Sequence, residues 1–145
     1  MTLFSWRCLA LAILGLAAVS ASASSEGRVD VPPEIAVRKN PETLDESEIR
    51  YYARQFKAKC ARCHGREGDG GGPESELQSI PPRDLTDAAY MRTRTDGQLF
   101  YQILAGGAGR SPMPAFGPGS DQGWSEQKIW HMVAFVRRFS EAPPK

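Results

Sequence analysis

Cysteine, histidine and net charge are all scarce in this chain. Its 145 residues include three cysteines and two histidines, and its formal net charge at pH 7 is only +1. A structural zinc site usually takes two ligand pairs, and the chain has a single C-x-x-C. A nucleic-acid-binding protein would show a clear basic excess, which this chain lacks. The length suits one domain, and the sequence contains no internal repeat.

No apolar run is long enough to cross a membrane. The run at residues 9–19 has only about half of the roughly 20 residues that a spanning helix needs. It follows Arg7 and precedes Ala21-Ser22-Ala23, which is the order of a secretory signal peptide and its cleavage site. We therefore predict that residues 1–23 are a cleaved signal and that the mature protein is periplasmic. The alternative is an uncleaved signal that serves as an anchor.

Both cysteines that remain after signal removal lie in one motif, Cys60-Ala61-Arg62-Cys63-His64. C-x-x-C-H is an attachment site for c-type haem. Residues three and four apart share a helix face, so both thiols and the imidazole should project together. The sequence therefore predicts one haem c, with Cys60 and Cys63 bonded to its vinyl carbons and His64 bound to its iron. A haem-free redox dithiol is the alternative, but it would need a strand–turn–helix setting, whereas the preceding residues favour helix.

The second axial ligand of the iron is predicted to be Met113. This residue lies in a loop, where Pro112 has a fixed φ and Pro114 keeps Met113 away from helical geometry. Three other residues could coordinate iron: Met91, His131 and Met132. We expect the two methionines to serve packing and the histidine to be exposed on the last helix. His/Met ligation raises the reduction potential and leaves no open position on the iron, which favours an electron carrier over an enzyme.

Apolar spacing and capping residues predict an all-α protein. The predicted helices begin and end near these residues: Asp45 to Lys59, Thr86 to Met91, Thr95 to Gly106, and Ser125 to Phe139. Glycine- and proline-rich loops separate them. Residues 24–45 are expected to form an extended arm or linker in which Val31, Ile35 and Val37 pack on the domain. The domain itself should cover residues 46–140, with a frayed tail at 141–145.

Taken together, these motifs resemble the small monohaem class I cytochromes c of bacteria. The similarity extends from about Ser47 to Phe139 and follows the family's order: C-x-x-C-H-G, a glycine-rich loop, P-P-R-D-L, D-G-Q-L-F-x-x-I, M-P-A-F and I-W-x-x-V-x-F-x-R. The resemblance implies a cytochrome c-like fold of four to five short helices around a covalently bound haem. It also implies that His64 and Met113 lie on opposite sides of the iron and that Arg83 contacts a haem propionate. The chain departs from the family at Tyr51-Tyr52-Ala53, where a glycine is frequent and where the terminal helices cross, and in its three consecutive loop glycines.

The resemblance implies that the protein moves single electrons, through the haem edge near Cys63, from a dehydrogenase or quinol-oxidising complex to a terminal acceptor. Its partners would be redox proteins, with no nucleic acid, and it would reach the membrane only through a partner or an uncleaved signal. One alternative is a haem c subunit fixed to a periplasmic dehydrogenase, with the arm as its tether. Another is a haem enzyme with an open sixth position on the iron.

Two further groups of residues have candidate roles beside the haem. A basic cluster next to the motif is either a docking surface for a partner or an ordinary solvated face: Arg54, Lys57, Lys59, Arg62 and Arg66. A set of apolar residues is expected to keep water from the haem: Phe56, Leu99, Phe100, Ile103, Phe116, Trp130 and Val133.

Overall fold

A computed structural model describes residues 29–141, which form helices joined by loops and contain no strand. The α-helices are α1 Pro33–Ala36, α2 Glu46–Lys59, α3 Ala61–His64, α4 Ala88–Arg92, α5 Asp96–Ala105 and α6 Glu126–Glu141, and a 3-10 turn covers Ser75–Leu77. The predicted all-α class is confirmed. The described range has six α-helices rather than four to five, because α1 forms within the expected arm and α3 is a separate turn.

The described residues include no helix that is both long and apolar enough to cross a membrane. The predicted signal peptide at residues 1–23 lies outside the described range, as do the last four residues of the predicted tail.

Three helices begin where the sequence predicts, because a side chain caps each of them. The Asp45 carboxylate accepts a hydrogen bond from the backbone N–H of Glu48 at 2.8 Å, and the Glu48 carboxylate accepts one from the Asp45 N–H at 2.9 Å. Thr95 and Gln98 form the same reciprocal pair at 3.1 and 3.0 Å at the start of α5. The Ser125 hydroxyl accepts a hydrogen bond from the backbone N–H of Lys128 at 3.2 Å. Each cap satisfies backbone donors that have no partner within the helix.

The last helix, α6, provides the centre of the core. Ile129 and Val133 are fully buried, and Met132 is 1% exposed. α6 packs against α2, α4 and α5. Phe56 of α2 contacts the ring of Phe135 on α6, with ring centroids 5.9 Å apart. The terminal helices of the domain, α2 and α6, therefore pack against each other.

His131 is buried on this interface, so the expectation that it is exposed is wrong. Its ring stacks on Tyr52 at a centroid distance of 5.3 Å, and the residue is only 9% exposed. Its Nδ1 lies 3.0 Å from the Gln127 carbonyl oxygen, and its Nε2 lies 3.4 Å from carboxylate oxygens of Glu42 and Glu48. The large Tyr52 side chain therefore occupies the crossing between the helices and covers the imidazole.

Residues 29–38 pack against the domain, and part of this segment forms α1, which the expected extended arm or linker did not include. Val29 is buried, and the Thr95 hydroxyl donates to the Ala36 carbonyl at 2.5 Å. The chain passes so close to α5 that a Cβ at Gly97 would lie 1.8 Å from the carbonyl oxygen of Ile35. Ile35 packs on the core as predicted, but Val37, the residue after the end of α1, is 77% exposed and does not pack on the domain as expected.

Candidate functional site

A cavity of about 460 Å³ opens between α2–α3, α5 and the loop that carries Met113. Its wall contains all the site residues that the sequence predicts: Cys60, Cys63, His64, Arg83 and Met113. Most of the remaining wall is apolar. This volume and this mixture of a few polar groups in an apolar lining are typical of a cofactor pocket. Three segments that are distant in sequence, which carry Cys60 to His64, Arg83 and Met113, therefore converge on one site.

The C-x-x-C-H motif forms a single helical turn at the junction of α2 and α3. The carbonyl oxygen of Cys60 accepts hydrogen bonds from the N–H groups of Cys63 at 3.1 Å and His64 at 2.9 Å. This turn directs the three side chains into the same cavity. The predicted common face of the two thiols and the imidazole is present, and it matches the attachment geometry of a c-type haem.

His64 is oriented by the backbone of the loop that precedes α4. Its Nδ1 lies 3.0 Å from the carbonyl oxygen of Arg83, and a carbonyl only accepts, so Nδ1 carries the proton and donates. Nε2 is then left unprotonated and available to a metal. Burial lowers the pKa of His64, and the hydrogen bond to Arg83 partly opposes that effect. A neutral imidazole is the form that binds iron.

Cys60 is unsuited to thiol–disulfide chemistry. Burial, and to a smaller extent the neighbouring Cys63, raises the pKa of its thiol to about 12. Catalytic dithiols instead depend on a lowered thiol pKa, because the thiolate is the nucleophile. The environment of Cys60 therefore argues against the haem-free dithiol alternative.

The loop that carries Met113 is fixed to the end of α5. The N–H of Gly107 donates a hydrogen bond to the carbonyl oxygen of Met113 at 2.8 Å. The N–H of Phe116 donates one to the carbonyl oxygen of Ile103 at 3.1 Å. The turn out of α5 needs glycine at residue 106, because φ is +63° and a Cβ there would lie 2.5 Å from the Met113 carbonyl oxygen. These contacts hold Met113 in the cavity wall.

The other three candidate ligands are placed less favourably. Met91 and His131 are buried and do not line the cavity. Met132 does line it, but this residue is 1% exposed and belongs to the packed centre of α6. Of the four candidates, Met113 is therefore the one that both lines the cavity and lies on a loop.

Arg83 contributes to the site through its backbone and borders it with its side chain. The backbone carbonyl receives the hydrogen bond from His64, whereas the guanidinium carbon lies 4.3 Å from the ring centroid of Tyr90. Tyr90 also lines the cavity. The side chain is thus stacked on an aromatic ring beside the cavity, where the family resemblance expects a propionate contact.

Gln102 is a site residue that the sequence analysis missed. Its amide nitrogen lies 2.9 Å from the carbonyl oxygen of Gly106 and 3.7 Å from the sulfur of Met113. The signal was present in the spacing: Leu99, Gln102 and Ile103 share a face of α5, and all three line the cavity. A polar residue within an apolar helical stripe indicates a buried polar partner.

The apolar residues that were expected around the haem divide into two groups. Phe56, Leu99, Ile103 and Phe116 line the cavity. The others are buried in the core and do not line it: Phe100, Trp130 and Val133. The two aromatic members of that group stack on each other with centroids 4.1 Å apart. These three residues therefore contribute to the packed core of the protein and not to the cavity wall itself.

All five residues of the basic cluster are exposed, and Lys59 and Arg62 also line the cavity. Arg62 pairs with Glu74 at 3.0 Å, which reduces the free positive charge of the cluster. Exposure is common to a docking surface and to an ordinary solvated face, so both interpretations of the cluster stay predictions.

The residues of the cavity fit a covalently attached haem. Two thiols on one helical turn, an imidazole with a free Nε2 and a thioether all face an apolar space. The described residues contain no group of three or more His, Cys, Asp or Glu side chains that would hold a bare metal ion. The donor set therefore suits an iron that is largely held by a macrocycle.

Comparison with solved structures shows a likeness of fold. None of the curated proteins compared matches the chain. A chain of the Kuenenia stuttgartiensis reducing HAO-like protein complex Kustc0457/Kustc0458 has a similar fold, with a TM-score of 0.53 and 23% sequence identity over 68% of this chain. This chain covers only 46% of that one, so the likeness concerns the fold.

The family comparison is more specific. Residues 47–136 match the family model described as cytochrome C oxidase, cbb3-type, subunit III, and the match contains the C-x-x-C-H turn, Arg83 and Met113. That range covers most of the described helices and the whole cavity-forming part of the chain. The chain therefore belongs to this family of c-type cytochrome domains, and its cofactor is haem c.

Proposed function

We propose that this protein is a periplasmic electron carrier whose single haem c is attached through Cys60 and Cys63 and ligated by His64 and Met113. The observation that carries the proposal is the convergence of an oriented imidazole and a loop-held thioether on one cavity. Haem c supplies one-electron redox chemistry when bound. With both axial positions taken by the protein, a substrate or dioxygen would have no position on the iron.

The surrounding chain is suited to rapid electron exchange. His64 is held by the backbone of Arg83, and Met113 is held by the end of α5. Because both ligands are fixed by backbone contacts, a change of iron charge would require little movement of the protein. The apolar wall of Phe56, Leu99 and Phe116 excludes water, which further limits reorganisation.

The electron would enter and leave near Cys63, which lines the cavity at α3. The proposed donor is a dehydrogenase or a quinol-oxidising complex, and the proposed recipient is a terminal acceptor. Their docking surfaces would be acidic if the exposed basic cluster beside α3 takes part in recognition.

A second candidate function is that of a fixed haem c subunit in a larger redox complex. The description of the matching family, which names an oxidase subunit, favours this candidate. Under mild purification from its host, a carrier would be isolated alone, whereas a fixed subunit would bring the other subunits of its redox complex with it.

The carrier proposal is tested by Met113→Ala. The wild-type ferric protein should show the weak absorption band toward the red that sulfur ligation gives, and its ferrous form should not bind carbon monoxide. In Met113→Ala the band should vanish and carbon monoxide should bind. A Met91→Leu variant is the control, because Met91 is buried away from the cavity and its replacement should leave both properties unchanged. A wild-type protein that lacks the band and binds carbon monoxide at once would favour the haem enzyme instead.

A further inference from the structure

Gln102 places the polar end of its side chain in an otherwise apolar part of the cavity. Its neighbours on the same face of α5 are Leu99 and Ile103. The amide nitrogen makes two contacts, one of 2.9 Å to the Gly106 carbonyl oxygen and one of 3.7 Å to the Met113 sulfur. A half-buried amide in such a place needs partners, because burial without them costs free energy.

The two contacts define the orientation of the amide. The Gly106 carbonyl only accepts hydrogen bonds, so the nitrogen of Gln102, and not its oxygen, faces that group. The same nitrogen has a second N–H, which is available to the sulfur of Met113. A thioether sulfur has two lone pairs and accepts weakly. One pair can bind iron while the other accepts this hydrogen bond.

Gln102 also connects two points of the loop that carries Met113. Gly106 is the residue at which the chain leaves α5, and the N–H of Gly107 donates to the Met113 carbonyl. The amide of Gln102 therefore ties the beginning of the loop to the side chain at its functional end. Removing the amide would free the Met113 side chain without cutting the backbone contacts of the loop.

We propose that Gln102 is a positioning residue for Met113, which fixes the thioether through one N–H and polarises it. This inference rests on the proposed ligation by His64 and Met113. The positive end of the N–H dipole lies beside the sulfur, so it favours the ferrous state, which has the lower charge. Gln102 thus raises the reduction potential and also opposes displacement of Met113 from the iron.

The test compares Gln102→Leu with Gln55→Leu. Leucine is similar in size to glutamine but donates no hydrogen bond, and Gln55 is a half-buried glutamine of α2 outside the cavity wall. In Gln102→Leu the potential should fall, and imidazole should displace Met113 from the ferric protein with roughly fivefold higher affinity, the equivalent of one lost hydrogen bond. Gln55→Leu should match the wild type in both measurements.

Equal potentials and equal imidazole affinities in the two variants would overturn the inference. If Gln102→Leu yields too little holoprotein, NMR of the ferrous wild-type protein tests the inference instead. A nuclear Overhauser effect between the Gln102 side-chain amide protons and the Met113 methyl group is expected, and its absence would overturn the inference. A wild-type protein without the red absorption band would instead refute the proposed Met113 ligation, so the two failures are distinguishable.

Discussion

At the scale of single residues, the sequence predicts the chemistry of the site well and its supporting contacts poorly. Cys60, Cys63 and His64 follow from a fixed spacing on one helical turn, which needs no knowledge of the rest of the fold. The contact between Gln102 and Met113 and the burial of His131 depend on how distant segments meet. No local pattern determines such contacts, and only a polar residue in an apolar stripe hints at the first of them.

The backbone and the side chain of Arg83 have different roles, so a substitution of this residue gives a specific prediction. Arg83→Gln keeps the carbonyl that orients His64 and removes the guanidinium beside the cavity. If that charge faces a haem propionate, its loss should stabilise the ferric state by ~1–2 kcal/mol, or ~40–90 mV for one electron. Redox titration should therefore show a lower potential, with the red absorption band retained.

The control for this prediction is Arg94→Gln. Arg94 also lies over Tyr90, at 5.3 Å from its ring centroid, but does not line the cavity. Its loss should shift the potential much less. Equal shifts in the two variants would show that only general charge matters and would contradict a propionate contact of Arg83.

At the scale of elements, the predicted helix starts agree with the structure because capping is a local property. Asp45, Thr95 and Ser125 are each recognisable from their own neighbourhood, and each caps a helix in the structure. The helix α1 was not predicted, and neither was the break that separates α3 from α2. α1 has only four residues and lies against α5, and α3 is separated from α2 at Cys60, so both depend on packing rather than on a periodic pattern.

The cap at Thr95 joins two elements and should therefore matter for stability. Its hydroxyl accepts the Gln98 N–H at the start of α5 and donates to the Ala36 carbonyl at the end of α1. We expect Thr95→Ala to lower the free energy of unfolding of the holoprotein by ~1–2 kcal/mol in chemical denaturation. Thr95→Ser, which keeps the hydroxyl, should retain most of the stability.

Thr43→Ala is the matched control for the cap, because Thr43 is exposed and lies outside the helices. It should change the free energy of unfolding by less than about 0.5 kcal/mol. If Thr95→Ala were as stable as Thr43→Ala, the hydroxyl of Thr95 would not link α1 to α5 in the way described.

At the scale of the whole molecule, the all-α class follows from the helical spacing of the apolar residues and from the capping residues. The match of residues 47–136 to a c-type cytochrome family agrees with that class and with the predicted cofactor. The sequence predicts that the segment at residues 29–38 packs on the domain, but not that it forms a helix or lies against α5, since its proline-bearing composition is typical of a linker. The close approach between Gly97 and the backbone of Ile35 is likewise visible only in the structure.

The central claim is that this chain carries one haem bonded to Cys60 and Cys63. The most direct measurement is the mass of the exported protein under denaturing conditions, after expression in a host that attaches haem to C-x-x-C-H motifs. The mass should exceed that of the mature polypeptide by one haem, and that increment should be lost when both cysteines are replaced by alanine. A colourless wild-type product with the mass of the bare polypeptide would contradict the account.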